Sequence, residues 1–450
     1  MPPPIVYDGH TMHEIIGQIF GRTFDCECGR THSIEPREIA YREDAVVRLP
    51  EIAAECCRGR AVCVLSDART RRAAGEGVAE VLKSNGWDVH ELIVPDPVEG
   101  KSPVCDDVTK ARLAEKLPDV DLIVPVGAGV VSDLGKWLAF ERGMPFLTFA
   151  TAASMNGYAS ANVAPAVDGV KTLVRARPPV AVVSSPSVLA DAPYELTAAG
   201  FGDVLAKSVS SADWKLNAML FGEYYCARSV SLIAEIEPLY LDNPEAIRDR
   251  RREAVEALYE ALLLTGAAMT MAETSSPASG GEHLLSHALD MLAVRDGASH
   301  DLHGRQVGVG TVLASEVYRR VLAVESPQPV AQPTDVDSAF WGGLTGAVAP
   351  HYAEKLPKYQ AAAEVITTGN TWDELRSALS RMVRPPRQLH DALRRASAAA
   401  TAADIGCEPQ HLLEAFTHAH ELRSRFTVLD LARLLGVMPA GAAEIVSAWT

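Results

Sequence analysis

The rhythm of apolar and polar positions changes part-way along the chain. Between about residues 60 and 151, short apolar runs alternate with stretches of helical period. AVCVLSD (61–67) reads as a strand ending in an acid, RTRRAAGEGVAEVLKSNG (69–86) as a helix with a glycine stop, and DVHELIVPD (88–96) as the next strand. A helix over about 106–116 leads into the strand DLIVPVG (121–127), and after a further helix MPFLTFAT (144–151) is a strand again. Such alternation predicts a parallel sheet covered by helices on both faces.

Beyond about residue 190 the strand signals fade. Helical period takes over at 194–220, 226–238, 244–272, 280–294, 307–323, 371–381, 388–402 and 408–419. SSPASGG (275–281) reads as a loop and SPQPVAQPTD (326–335) as a Pro-rich surface connection. The expected organisation is an α/β, Rossmann-like nucleotide-binding domain over 1–190 and an all-α metal- and substrate-binding domain over 191–450. Residues 1–48 carry no pattern firm enough to assign.

Composition narrows the partners. A formal net charge of −16 disfavours nucleic acid, which demands a basic surface. A small anionic substrate is compatible with that charge if local cations receive it. Apolar runs such as DLIVPVGAGVV (121–131) are too short to cross a bilayer, and MPPPIVYDGH lacks a basic region followed by an apolar one. No membrane span and no signal peptide are expected, and the predicted location is the cytoplasm. The eight cysteines are expected as reduced thiols, with the adjacent Cys56 and Cys57 part of a helix. Cys26-x-Cys28 with His32, in FDCECGRTHSI, offers only three candidate ligands at cramped spacing, so a tight structural turn is the favoured reading over a metal site.

Two stretches carry candidate chemistry. VPVGAGVVSDLGKWLAF (124–140) is a strand, a glycine turn and a helix: Gly127 and Gly129 let backbone amides approach a ligand, and Ser132 and Asp133 open a helix whose N–H groups and dipole favour a pyrophosphate. The third glycine of the usual fingerprint is missing. Asp67, at the end of the first strong strand, is either a ribose-binding acid that favours NAD over NADP or a turn residue. Further on, His283 and His287 lie four apart on one helical face, and a turn-rich break at Asp296 and Gly297 folds His303 back toward them. In AAGFGDVLAKSVSSADWKL, Asp203 and Lys207 are also four apart amid small apolar residues. Spacing alone favours an exposed i,i+4 salt bridge, but the small apolar surroundings suggest burial, and a buried Asp needs a strong partner such as a metal ion. One carboxylate and two imidazoles suit a divalent cation, zinc for example, with an open position.

GAGVVSDLGKW, ATAASMNGYAS, AAGFGDVLAKSVSSADWKL, SGGEHLLSHALDM, HGRQVGVGT and RSRFTVLDLARLLG together resemble the sn-glycerol-1-phosphate dehydrogenase family, within the iron-containing alcohol dehydrogenase and dehydroquinate synthase superfamily. The similarity runs from about residue 45 to 438. It implies NAD or NADP as cofactor and Asp203, His283 and His303 as ligands of one metal, usually zinc, with His287 lining the site. It further implies Gly127, Gly129, Ser132, Asp133 and Lys136 at the pyrophosphate, Asp67 at the ribose, and Thr151, Ser154 and Tyr158 in a segment touching cofactor and substrate. Lys171, Lys207 and Arg305 are candidates for neutralising a phosphate, and a homo-oligomer, a dimer or larger, is expected.

The chain departs from the family in two places. It has SMNGY where the family reads SMDGY, so the neutral Asn156 replaces an aspartate facing the substrate, and VSSPSVL (183–189) puts Ser185 and Ser187 where acids stand. Both changes remove negative charge. The activity implied is reduction of a phosphorylated ketone of the dihydroxyacetone phosphate kind. A phosphonate or longer phosphorylated keto compound is the alternative, and a sugar-phosphate cyclase is disfavoured by Asp203 at the ligand position.

Overall fold

The computed structural model describes residues 14–98, 101–232, 234 and 236–449. The N-terminal MPPPIVYDGH, and two positions of the helical pattern at 226–238, lie outside those residues. Two compact units are present: one takes the chain up to Gly200 and again over Ser231–Glu273, the other takes Phe201–Val230 and Thr274–Thr450.

In the first unit a short helix, Glu14–Ile19, is followed by a hairpin of β1 (Thr23–Asp25) and β2 (Thr31–Ser33). A parallel sheet follows, built among the described residues from β3 (Glu38–Tyr41), β4 (Ala61–Ser66), β5 (Asp88–Ile93), β6 (Leu122–Gly127), β7 (Leu147–Ala150) and β8 (Ala181–Ser184), in the order β3-β8-β7-β6-β4-β5. Burial on both faces follows from the period of two along each strand. Val62 and Val64 of β4, with Leu122, Val124 and Val126 of β6, pack under α1 (Ala45–Cys56) and α2 (Glu76–Ser84). Cys63, Leu65 and Ile123 pack on the opposite face under α3 (Asp107–Lys116) and α4 (Gly129–Arg142). Each such valine or leucine contributes about 1.5–3 kcal/mol by leaving water. A doubly covered α/β sheet was expected, but β3 and β8 had no distinct signal.

The second unit is helical. α5 (Tyr194–Leu205) carries the chain to α6 (Lys207–Phe221), so the single helix expected over 194–220 is two. α7 (Arg252–Ala272) belongs to the first unit and is long and apolar enough to cross a membrane, but it is buried as a core helix. α8 (Gly281–Asp296), α9 (His303–Leu322), α10 (Thr345–Ile366) and α11 (Val428–Leu434) complete the frame of the second unit. α8 stops at Gly297, which takes φ +64°, and α9 starts at His303 itself.

Candidate active site

In the first unit β5 flanks β4 on one side and β7 flanks β6 on the other, so the winding reverses between β4 and β6. The crevice beyond the carboxyl ends of two such strands is where nucleotides bind in open parallel sheets. Asp67 and Gly127 stand there, each two residues past the Leu65–Pro125 pair. α4 begins at Gly129, earlier than the expected Ser132, and Ala128 before it makes no side-chain cap; Val131 N–H donates to Ala128 O (3.0 Å), which leaves the N–H groups of Gly129 and Val130 to face an anion. Gly129 takes φ +30° and faces open space. The glycine that lets α4 lie close on β6 is Gly135, where a Cβ would come 2.4 Å from Pro125 Cγ. It supplies the packing function of the fingerprint's absent third glycine.

Several residues expected around that turn have other occupations. Lys136 is fully buried and donates to Gly157 O (2.6 Å), Asn162 O (3.0 Å) and Ser160 Oγ (3.3 Å). It therefore braces the 157–162 loop instead of offering charge to a pyrophosphate, a correction to the expectation. Tyr158 is likewise corrected: it is fully buried, its hydroxyl donates to Ala152 O (2.8 Å), and burial pushes its pKa far up. Asp133 Oδ2 accepts from Ala164 N–H at 3.3 Å. Asp67 caps the turn that follows it, accepting from the N–H groups of Arg69 (2.8 Å) and Thr70 (2.7 Å) through Oδ1. Thr151 N–H donates to Gly127 O at 3.3 Å, and Ser154 hydrogen-bonds Tyr158. Asn156 is half-buried at a turn against which α7 passes closely, since a Cβ on Gly266 would lie 2.8 Å from Asn156 O. Lys171 sits half-buried on the two-residue strand Val170–Lys171. The Ser185 and Ser187 hydroxyls lie 2.8 Å apart, and Ser185 donates to Glu43.

The second unit brings the expected metal ligands into one neighbourhood. A Cβ on Gly202 would lie 2.2 Å from Gly304 O, so α5 and α9 touch backbone to backbone and Asp203 comes beside the start of α9. Asp203 Oδ1 is 3.5 Å from His283 Nε2. The His283 and His303 ring centroids are 5.1 Å apart, with His287 at 6.2 and 5.6 Å from them. The rings of His283 and His303 are each turned by a neighbour. His283 Nδ1 lies 2.8 Å from Glu282 Oε1. Ser286 gives its one hydroxyl proton to Gln306 Oε1 (2.8 Å) and so accepts from His303 Nδ1 (2.8 Å). With both Nδ1 atoms protonated, each ring offers the lone pair of Nε2, the form in which imidazole binds a cation.

The electrostatics add a proton to be displaced: burial lowers the His283 pKa, but Asp203 and Glu282 raise it overall, so a cation would take the place of the Nε2 proton that faces Asp203. Burial pushes the Asp203 carboxyl up, but the Lys207 ammonium at 3.9 Å and then His283 hold it at about 2, so it is ionised. Burial lowers the Lys207 pKa, with Asp203 and Glu282 opposing. Arg305 is committed to Asp301 (2.8 Å) and to the Asp404 carbonyl, which removes it as a phosphate clamp.

Sequence reasoning missed the groups that hold α8. Asp213 Oδ2 accepts Gly281 N–H (2.7 Å), while its Oδ1 accepts the Tyr318 hydroxyl (2.6 Å) and Val428 N–H (2.8 Å). Glu282 Oε1 also accepts Gly280 N–H at 2.7 Å, and Arg425 donates to the Ser279 carbonyl and to Ser275 Oγ (2.9 Å). The signal available was a run of polar residues inside apolar helices, which reads equally well as a wet surface.

Residues 40–193 match the family model described as iron-containing alcohol dehydrogenase. A glycerol-1-phosphate dehydrogenase [NAD(P)+] of Thermococcus kodakarensis is 30% identical over 420 residues, covering 92% of this chain and 98% of that protein. One from Bacillus licheniformis is 29% identical over 430 residues, covering 95% and 96%. The chain belongs to the glycerol-1-phosphate dehydrogenase family. It is an NAD(P)-dependent oxidoreductase, and a nicotinamide cofactor and a divalent metal go with that membership. The crystal structure of a probable glycerol dehydrogenase from Sinorhizobium meliloti 1021 superposes with a TM-score of 0.59 at 18% identity, covering 92% of this chain and 99% of that one, which shows the shared fold. The family motif RSRFTVLDLARLLG proves to be packing as much as chemistry: Asp430 caps α11 at Thr427 and pairs with the fully buried Lys355 at 3.0 Å.

Proposed function

We propose that the chain reduces a small phosphorylated ketone of the dihydroxyacetone phosphate kind to its secondary alcohol, with NAD(P)H as hydride donor. The relatives' name, glycerol-1-phosphate dehydrogenase, motivates the substrate class. The observation that carries the reading is the donor set of the second unit: an ionised buried Asp203 in contact with His283, and two rings whose Nδ1 atoms are tied back by Glu282 and Ser286. Asp203, His283 and His303 would hold a divalent cation, zinc in this proposal, and when bound it supplies Lewis acidity toward a ketone oxygen.

The chain's own groups do the rest. Lys207 keeps Asp203 ionised, and His287 relays the proton that completes the alcohol. The amides at Gly127 and Gly129, with the Ser132 hydroxyl, receive the pyrophosphate, and the second oxygen of Asp67 receives ribose hydroxyls, which favours NAD. Ser132 fits that role because its buried Oγ has no hydrogen-bond partner among the described residues. Thr151, Ser154 and Asn156 contact cofactor and substrate. The proposal keeps the nucleotide with 1–190 and the metal with 191–450, in a cytoplasmic homo-oligomer.

Asn156, neutral where the family carries an acid, favours a second reading in which a more anionic phosphorylated or phosphonate ketone is preferred. NADH oxidation against a panel of both kinds of ketone, with and without added zinc, tests the reading. Zinc-dependent oxidation of phosphorylated ketones supports it. Phosphate release without net NADH consumption would replace it with cyclase chemistry.

A further inference from the structure

The hairpin ahead of the sheet carries a cluster that the proposed reduction does not use. β1 and β2 pair antiparallel, with Phe24 opposite His32 and Asp25 opposite Thr31. Between them Cys26 N–H donates to Arg30 O (3.0 Å) and Gly29 N–H to Cys26 O (2.9 Å), while Gly29 takes φ +84° to close the turn. The tight turn expected from the sequence is there. It gathers three donors: the ligand atoms of Cys26, Cys28 and His32 lie within 4.8 Å of one another, and Cys28 Sγ is 3.2 Å from His32 Nε2.

That spacing is close to what a cation requires. Tetrahedral coordination with Zn–S of about 2.3 Å and Zn–N of about 2.0 Å sets neighbouring ligands roughly 3.5–4 Å apart. His32 is 4% exposed and the two cysteines are half-buried, with the Phe24 ring 5.7 Å from the imidazole. Two thiols and an imidazole in a partly sheltered turn make a soft donor set, unlike the carboxylate and imidazoles of the second unit. The cramped C-x-C spacing that counts against a metal in sequence is met by the left-handed Gly29, which turns the chain back so that β2 delivers the third donor.

We propose that Cys26, Cys28 and His32 bind a thiophilic divalent cation, zinc by donor chemistry, in a structural site that fastens the hairpin, with the fourth position left to water or another donor. Binding converts both thiols to thiolates with release of their protons, and the ion's affinity adds to the stability of the hairpin.

Cobalt(II) titration of the full chain, stripped of metal and kept reduced, tests this independently of the proposed oxidoreductase site, because only a thiolate ligand gives a sulfur-to-cobalt charge-transfer band. The band is expected to saturate at one equivalent, to survive His283→Ala and to vanish in Cys26→Ser/Cys28→Ser. Its absence from the wild-type chain, or its persistence in the double variant, overturns the site. Iodoacetamide labelling of the wild-type chain needs no variant: zinc should slow alkylation of Cys26 and Cys28 at least tenfold, and equal rates with and without zinc overturn the proposal.

Discussion

Two aspartate–lysine pairs with buried lysines, one in each unit, look alike in sequence and differ in what surrounds them: Asp133 is half-buried and Asp203 buried. Asp133 Oδ1 lies 3.6 Å from Lys136 Nζ, and Asp203 Oδ1 lies 3.9 Å from Lys207 Nζ. Burial lowers the pKa of both lysines, and each aspartate opposes the change. Lys136 donates to three oxygens of a single loop, so its charge is consumed in bracing. Lys207 donates to Ala278 O (3.1 Å) and otherwise faces a carboxylate that in turn faces an imidazole. Spacing announces that a pair is present. The acceptors around the ammonium decide whether it is a brace or part of a site.

The comparison breaks most visibly at the ligands. Asp203→Ala or His283→Ala should lower kcat/KM about a thousandfold or more, the equivalent of several kcal/mol of lost charge stabilisation. Metal content measured on the same samples should fall with it, and full turnover in either metal-depleted variant would remove the site from the chemistry. Lys136→Met acts on the other side of the comparison. It leaves buried carbonyls without a donor and should destabilise the fold by about 3 kcal/mol, seen in chemical denaturation, with metal content unchanged. A variant as stable as the parent would mean that Lys136 is no brace.

The same contrast explains what was legible beforehand. β4, β5, β6 and β7 show as apolar runs bounded by turns; helical period pairs His283 with His287, while His303 is reached through the break at Asp296 and Gly297, ahead of a helix expected only from 307. β3 and β8 are four residues each, as is β7, but they lie outside the strand–helix alternation of 60–151 that brings β7 out. α10 went unread because Pro350 and Pro357 sit inside it, and proline is ordinarily a helix breaker. Asp203 was legible because small neighbours announced its burial. Asp213 was not, since its partners Gly281 and Tyr318 lie 68 and 105 positions away, and Glu282 was not, because an acid in the first turn of a helix reads as an ordinary solvated residue although its partners Gly280 and His283 are its neighbours. Lys136 and Tyr158 were placed correctly in the chain but given the wrong work, because a motif records which residues are shared and not which way a side chain turns.

Two carboxylates behind the ligands sharpen the comparison further. Glu282→Gln keeps an acceptor for Gly280 N–H but loses the anion that turns His283, and should weaken zinc binding about 10- to 100-fold in competition with a chelator while the fold persists. Unchanged affinity would reduce Glu282 to a helix cap. Asp213 is raised by burial, then by the Glu282 charge, to about 7, against the pull of Tyr318, Gly281 and Val428. Its folded pKa stands above the unfolded one, so its contribution is present in full below about pH 4 and is lost as pH rises through about 7, at roughly 1.4 kcal/mol per pH unit. Asp213→Asn should flatten that slope in thermal melts across the interval, even if its baseline is lower. An unaltered slope would assign the titration elsewhere.

The smallest effect is expected at Ser132, and it separates brace from site most finely. A buried hydroxyl without a partner is a standing cost, and Ser132 Oγ has none among the described residues. Ser132→Ala should therefore leave the fold unchanged or stabilise it by up to about 1 kcal/mol. If the hydroxyl serves the pyrophosphate, the same change should weaken NADH binding by about 3- to 10-fold, or roughly 0.7–1.4 kcal/mol. Stability from denaturation and NADH affinity from fluorescence titration would then diverge, stability holding or rising while affinity falls. Were stability to drop by an amount comparable to the Lys136→Met loss with NADH affinity untouched, Ser132 would join Lys136 among the groups that hold the loop and not the ligand.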